Sequence, residues 1–244
     1  MDNRYFIEVA YNGKFYAGFQ KQKNANTIQA EVEKALFTFY RMLIPLTGSS
    51  RTDAGVHAFQ NYFHADMPIP VKEKDTYNLN AILPADIVIK SMKRVAANAH
   101  CRFDAISRAY QYVLYQSKNP FLNDRAYYYP YLLNMGLLQE AAGLLYRYRD
   151  FESFAKKHHQ AHTTNCEIFL SEWEQQSDCI IYRVTANRFL RGMVRGLVGT
   201  MLRVGRGKYS LDEFQKIIES KNISKTDFSA PAQGLTLVQI HFEL

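Results

Sequence analysis

Short runs of aromatic and β-branched residues alternate along this chain with longer runs at helical spacing, a pattern that only a mixed α and β architecture accommodates. Arg4 to Tyr11 is the first such run, and it stops at Asn12-Gly13, a turn signal, so the residues predict a strand. From Thr27 to Tyr40 the period changes: Ile28, Val32, Ala35, Leu36 and Phe39 recur at helical spacing, and Asn26 with Gln29 resembles a capping box. Phe59 to Ala65 and Asp86 to Val95 are further strands in prospect. Arg108 to Tyr115 opens a second series with another aromatic and branched run. A helix over Met135 to Tyr146 follows, then a strand pair, Cys166 to Trp173 and Ile180 to Ala186, across the polar turn Gln175 to Asp178. Ser210-Leu211-Asp212-Glu213 is a capping box ahead of Phe214, Ile217 and Ile218, and Thr236 to Phe242 reads as a closing strand.

Both halves therefore mix helices with hairpin-like strand neighbours, which predicts an α+β fold with mainly antiparallel sheets. A length of 244 residues allows one large domain or two modest ones. The change near residue 104 favours two: an N-terminal α+β domain over 1–104 and a C-terminal one over 105–244.

Composition narrows the class of function. The longest apolar stretch, Phe189 to Val204, is interrupted by Arg191, Arg195 and Arg203, so no segment spans a bilayer. The first residues lack the apolar stretch of a signal peptide, and three cysteines are too few and too unevenly placed for a disulfide framework, so a cytoplasmic location is expected. Thirty Lys and Arg against 23 Asp and Glu leave a net charge of +7, which favours a polyanionic partner. That charge is concentrated: Asn187 to Lys208 carries Arg188, Arg191, Arg195, Arg203, Arg206 and Lys208 and no acid. Read as a basic helix over 188–204, the spacing puts Arg188, Arg191 and Arg195 on one face, with Leu190, Val194, Leu197 and Met201 supplying an apolar stripe. Gly192 and Gly196 would then allow close packing. An aromatic content of 14% with 17 tyrosines suits stacking on exposed bases, although for any one ring a place in the core is the better assignment.

One segment gathers small and polar residues around a carboxylate: Ser49-Ser50-Arg51-Thr52-Asp53-Ala54-Gly55-Val56-His57-Ala58, the body of a loop over 48–58. It follows the apolar residues Met42 to Leu46 and reads as a loop leaving a strand. As bare composition, Asp53 caps a turn and Gly55 supplies a positive φ. The run Arg51-Thr52-Asp53-Ala54-Gly55-Val56-His57 resembles the signature loop of the tRNA pseudouridine synthase A family. The likeness continues through Tyr11-Asn12-Gly13, Gly18-Phe19-Gln20-Lys21-Gln22, Leu79 to Pro84, Cys101-Arg102-Phe103, Arg108 to Tyr112, Asp150 to Phe154, Met193-Val194-Arg195 and Ala230 to Leu235.

The resemblance implies two ferredoxin-like (RRM-like) halves around a basic active-site cleft, working as a homodimer without cofactor or metal. The implied reaction is isomerisation of uridine to pseudouridine at positions 38, 39 and 40 of the tRNA anticodon stem-loop. Asp53 matches the catalytic aspartate, Tyr110 the residue that contacts the target base, and Arg195 the arginine of the Met-Val-Arg motif. The residue types suit the chemistry. The base must leave C1′, turn, and reattach through C5. A carboxylate can attack C1′ or take a proton from C2′, and sequence leaves both routes open. Either route needs an ionised carboxylate, which burial beside a base opposes and a guanidinium restores. Arg195 is the candidate guanidinium; Arg51 is its rival and is expected instead on the RNA backbone or the flipped nucleotide. Because the bond lies in a paired stem, the nucleotide must be extruded.

Two alternatives stand beside this. A non-catalytic RNA-binding module would keep the basic surface, and a sister enzyme would use the same aspartate on other RNA sites. His158, His159, His162 and Cys166 invite a zinc reading, but no Cys-x-x-Cys pair or carboxylate accompanies them, and Lys156-Lys157 beside them suggests a basic loop that touches RNA. His57 is expected to hold the loop's shape.

Overall fold

A computed structural model describes residues 3–156 and 163–243. In chain order its elements are β1 (Arg4–Tyr11), α1 (Ile28–Tyr40), β2 (Thr47–Gly48), β3 (His57–Asp66), α2 (Glu73–Ile82), β4 (Ile87–Arg94), β5 (Ala105–Tyr115), β6 (Tyr127–Tyr128), α3 (Met135–Leu144), β7 (Ile168–Gln176), β8 (Cys179–Ala186), α4 (Met193–Gly205), α5 (Leu211–Glu219) and β9 (Leu235–Phe242). The class is α+β and the pairing is largely antiparallel. Two compact units divide the chain, Met1–Ile106 with Thr236–Leu244, and Ser107–Leu235.

In the first unit β1 is central, antiparallel to β3 on one side and to β4 on the other. β2 adds two antiparallel residues to β3. The last strand also joins here, because His57 and Ala58 of β3 pair in parallel with Thr236 and Leu237. A division at 104/105 leaves residues 236–244 with the second half; the backbone places them with the first. Ile7 and Val9 of β1, Phe63 of β3, Ile89 of β4 and Ile28, Val32 and Leu36 of α1 are buried together as the core of this unit.

Local signals explain most of these elements. α1 starts where the apolar period starts, but its cap is Thr27, whose hydroxyl accepts from Ala30 N–H at 3.3 Å, one residue later than the Asn26 expected from sequence. Met42 to Leu46 is not a strand; only Thr47–Gly48 pairs before the loop. α2 has no apolar period to announce it, since only Asp75 and Leu79 are buried.

In the second unit β8 lies between β5 and β7, antiparallel to both, and β6 pairs in parallel with β5. α3 contacts β7, α4 and α5. Tyr112, Tyr182, Leu138, Ala141, Leu197 and Phe214 fill its core. The capping box predicted for α5 is present, with Ser210 Oγ accepting from Glu213 N–H and the Glu213 carboxylate from Ser210 N–H.

Candidate active site

The loop between β2 and β3 is tied to its surroundings in the first unit by a series of hydrogen bonds from Ser49, Ser50, Thr52 and Gly55. Ser49 N–H donates to Tyr62 O at 2.8 Å, and Thr52 O accepts from Phe19 N–H at 3.1 Å. Val56 N–H closes a turn on Asp53 O at 3.2 Å, with Gly55 at a φ of 78° as the turn requires. Gly55 N–H in turn donates to Tyr16 O at 3.3 Å. The chain leaving β1 presses directly on the turn: a Cβ on Gly13 would lie 2.0 Å from Val56 O, so no other residue fits there. Gly13 N–H donates to His57 Nδ1 at 3.1 Å, which makes this nitrogen the acceptor and suits the shape-holding role expected for that histidine. Beneath the loop Phe19 is buried, stacked on Phe63 at a centroid distance of 4.3 Å.

Burial alternates through the signature. Arg51 is exposed, Thr52 buried, Asp53 half-buried and Ala54 exposed, so the loop presents the Asp53 and Arg51 positions to its open side while Thr52 faces the core.

The remaining predicted residues lie in the second unit. Tyr110 is half-buried on β5, opposite Val184 of β8, and its ring meets Phe189 edge-on at 5.1 Å. Tyr112, two residues on and on the same face, is fully buried; its hydroxyl donates to Pro231 O at 2.8 Å and burial pushes the phenol's pKa up. One strand face thus runs from a half-open ring to a core ring.

The arginines are arranged differently from the expectation. Arg188 and Arg191 are not helical and share no helix face with Arg195. α4 begins only at Met193, because Gly192 stands before it in the left-handed region with a φ of 74°. The basic helix over 188–204 is therefore a fixed connection followed by a shorter helix. That connection is pinned: Asn187 N–H donates to Glu167 O at 3.1 Å, Glu167 N–H to Asn187 Oδ1 at 2.9 Å, the Arg108 guanidinium to Asn187 O at 2.8 Å, and Lys156 N–H to Arg191 O at 2.9 Å. Arg191 is exposed and Arg188 half-buried. Burial pushes the Cys166 thiol up to about 12, and Arg188 is the positive charge that partly opposes it. Arg195, on the first turn of α4, donates through Nε to Ala230 O at 2.7 Å. Arg203 is paired with Asp227 at 2.6 Å, an acid from outside the basic segment, and Arg206 stacks over Tyr131 at 3.7 Å. Of the expected apolar stripe, Val194, Leu197 and Met201 are buried on α4, while Leu190 is buried but precedes the helix.

Comparison with known proteins decides the class. A family model described as tRNA pseudouridine synthase matches residues 143–243. The chain is 45% identical over 242 residues to tRNA pseudouridine synthase A of Porphyromonas gingivalis, covering 97% of this chain and 96% of that protein. It is 43% identical over 243 residues to the Bacteroides fragilis protein of the same name (98% and 96% covered). Against the Staphylococcus aureus strain Newman protein, also of that name, it is 35% identical over 244 residues (98% and 91% covered). The chain belongs to the tRNA pseudouridine synthase A family. The family model covers the connection and α4, and the full-length relatives bring the loop over 48–58 under the same assignment. As a member of this family the chain is an enzyme.

Among the described residues no three metal-ligating side chains converge. His158, His159 and His162 lie outside the described residues, and Cys166 is buried. No helix among the described residues is long and apolar enough to cross a membrane. Sequence reasoning passed over the residues that hold the loop, Tyr11, Gly13, Tyr16 and Asn61. The first two sat inside a recognised landmark, Tyr11-Asn12-Gly13, and that was the available signal.

Proposed function

We propose that this enzyme converts uridine to pseudouridine in tRNA, at positions 38, 39 and 40 of the anticodon stem-loop, acting as a homodimer with Asp53 as the reacting carboxylate. The observation that carries this reading is the signature loop itself, seven consecutive residues of the family pattern folded so that Thr52 is buried, Arg51 is exposed and Asp53 is half-buried. Two ferredoxin-like halves complete the reading. It is supported in the first unit by the strand order β4-β1-β3-β2, all antiparallel, reached in the chain order β-α-β-β-α-β.

In the proposed reaction the glycosidic bond of an extruded uridine breaks, with Asp53 either bonding to C1′ or taking the C2′ proton. The freed uracil turns, C5 bonds to C1′ as the Asp53–C1′ bond breaks or as Asp53 returns the proton to C2′, and the C5 proton is lost to solvent. Tyr110, half-buried with its ring edge on Phe189, is suited to stack on the base. Arg195 is the guanidinium assigned to keep the carboxylate charged, while Arg51, Arg188 and Arg191 bind RNA phosphate. Tritium release from C5-labelled uridine in tRNA tests the assignment. Wild type is expected to release label and Asp53→Asn to release none while still binding tRNA; equal release from both proteins removes Asp53 from the mechanism. Mapping converted uridines in anticodon stem-loops tests the positions.

A further inference from the structure

We propose that Tyr11 and Asn61 are positioning residues for the reaction, holding the signature loop through a buried chain of hydrogen bonds that ends on Thr52, the neighbour of Asp53. This rests on the reading of Asp53 as the reacting carboxylate. Asn61, on β3, is wholly buried. Its Nδ2 donates to Ser50 O at 2.8 Å and to Tyr11 Oη at 3.1 Å, and its Oδ1 accepts from Ser50 N–H at 3.3 Å and Tyr62 N–H at 2.8 Å. An amide has two donors and two acceptor lone pairs, so every one is used, and turning the amide over would break the three bonds to backbone groups at once. The side chain therefore has one orientation. Tyr11 Oη, so anchored, lies 2.7 Å from Thr52 Oγ1.

Asn61 thus grips both backbone groups of Ser50, and Tyr11 grips the side chain of Thr52. Thr52 is held a second and third time, its O by Phe19 N–H and its N–H by Ser50 O at 3.1 Å each. The residues on either side of Arg51 are locked to the sheet, and the backbone that carries Asp53 leaves from a fixed point. A carboxylate that must approach C1′ or the C2′ hydrogen needs such placement, since a displacement of about 1 Å can cost on the order of 10²-fold in rate. Tyr11 and Asn61 are 5% exposed or less, so neither touches the RNA and each acts only through the loop.

The experiment measures single-turnover pseudouridine formation, tRNA affinity and thermal melting for Tyr11→Phe, Thr52→Val and the double variant, beside Asp53→Asn. Tyr40→Phe serves as the control, because it also removes one buried hydroxyl bond in the same unit, Tyr40 Oη to Asp75 Oδ2 at 2.9 Å, at a distance in sequence from the loop. Tyr11→Phe and Thr52→Val are each expected to lower the rate by about 10-fold to 10²-fold with tRNA affinity unchanged. The double variant should be no slower than the slower single one, because both delete the same bond. Tyr40→Phe should lower the melting temperature comparably and leave the rate alone. Thr52→Val carries the test alone if Tyr11→Phe does not fold. An unchanged rate in both loop variants, an equal loss in the Tyr40→Phe control, or a loss confined to tRNA affinity overturns the inference while Asp53→Asn remains inactive. An active Asp53→Asn overturns instead the reading beneath it.

Discussion

The loop over 48–58 in the first unit and the connection over 187–192 in the second both carry side chains assigned to the RNA, yet they are held in different ways. The loop is gripped by side chains as well as backbone: Asn61, Tyr11 and His57 all bond to it or from it, and Gly13 touches it with no room for a methyl group. The connection is gripped by two backbone bonds, by Asn187 and by the Arg108 guanidinium, and its path is set by a left-handed glycine, with Arg191 exposed and Arg188 half-buried. The contrast fits the work proposed for each. A carboxylate that reacts must be placed to a fraction of an ångström, whereas a guanidinium that neutralises phosphate works over a Debye length of about 10 Å and needs only to be exposed.

The largest effect expected from this contrast is at Asp53. Asp53→Asn should reduce pseudouridine formation by about 10³-fold or more, with tRNA affinity within a few-fold of wild type, read by tritium release and filter binding in parallel. Next comes the backbone of the loop. Gly13→Ala puts a methyl group on Val56 O, so the turn must shift, and the rate should fall by about 10²-fold at unchanged tRNA affinity. A fall in affinity without a fall in rate would show that loop and connection do the same kind of work, and the contrast would be lost.

The connection should respond in the opposite sense. Arg191→Ala, which removes an exposed charge, should weaken tRNA binding by roughly 10-fold and reduce the slope of log affinity against log salt by about one, leaving the rate at saturating tRNA unchanged. Arg188→Ala is expected to follow it. If either variant slows the saturated rate, its guanidinium belongs with the reacting groups.

The smallest effect concerns the ground on which the loop stands. His64 Nδ1 lies 3.3 Å from Cys101 Sγ, and that thiol is bonded to Thr47 O at 3.2 Å, at the entrance to the loop. Burial, then the nearby His100 and Arg4, lower the His64 pKa from 6.5 to about 4, while Asp66 and Asp104 act weakly the other way. The folded protein resists a proton that the unfolded chain accepts. Stability from this group is therefore whole above pH 6.5 and declines as pH falls from 6.5 towards 4. The urea midpoint should be lower near pH 5 than near pH 7.5, and His64→Gln should flatten that difference; an undiminished difference assigns it to other groups.

Much of this architecture was legible beforehand because its signals are local. α1 is marked by its apolar period, α5 by its period and capping box, and the β7–β8 hairpin by its polar turn. α2 was not legible, since a ten-residue helix with two buried positions has no stripe to detect. Arg188, Arg191 and Arg195 were placed on one face by counting residues at helical spacing, and one backbone angle at Gly192 undid that count.

What the sequence determined by itself was the class of fold, the family, and the short run in which the proposed reacting carboxylate sits. These depend on neighbours along the chain, and period, capping and motif identity record them there. What only the tertiary structure decided was which distant residues hold that run: Asn61 and Tyr11 beneath Thr52, Gly13 against Val56, and the closing strand from Thr236 beside His57 and Ala58. A buried hydrogen bond or a close backbone approach needs only nearness in space, and nothing in the order of residues marks the two partners for each other until the sheet has formed.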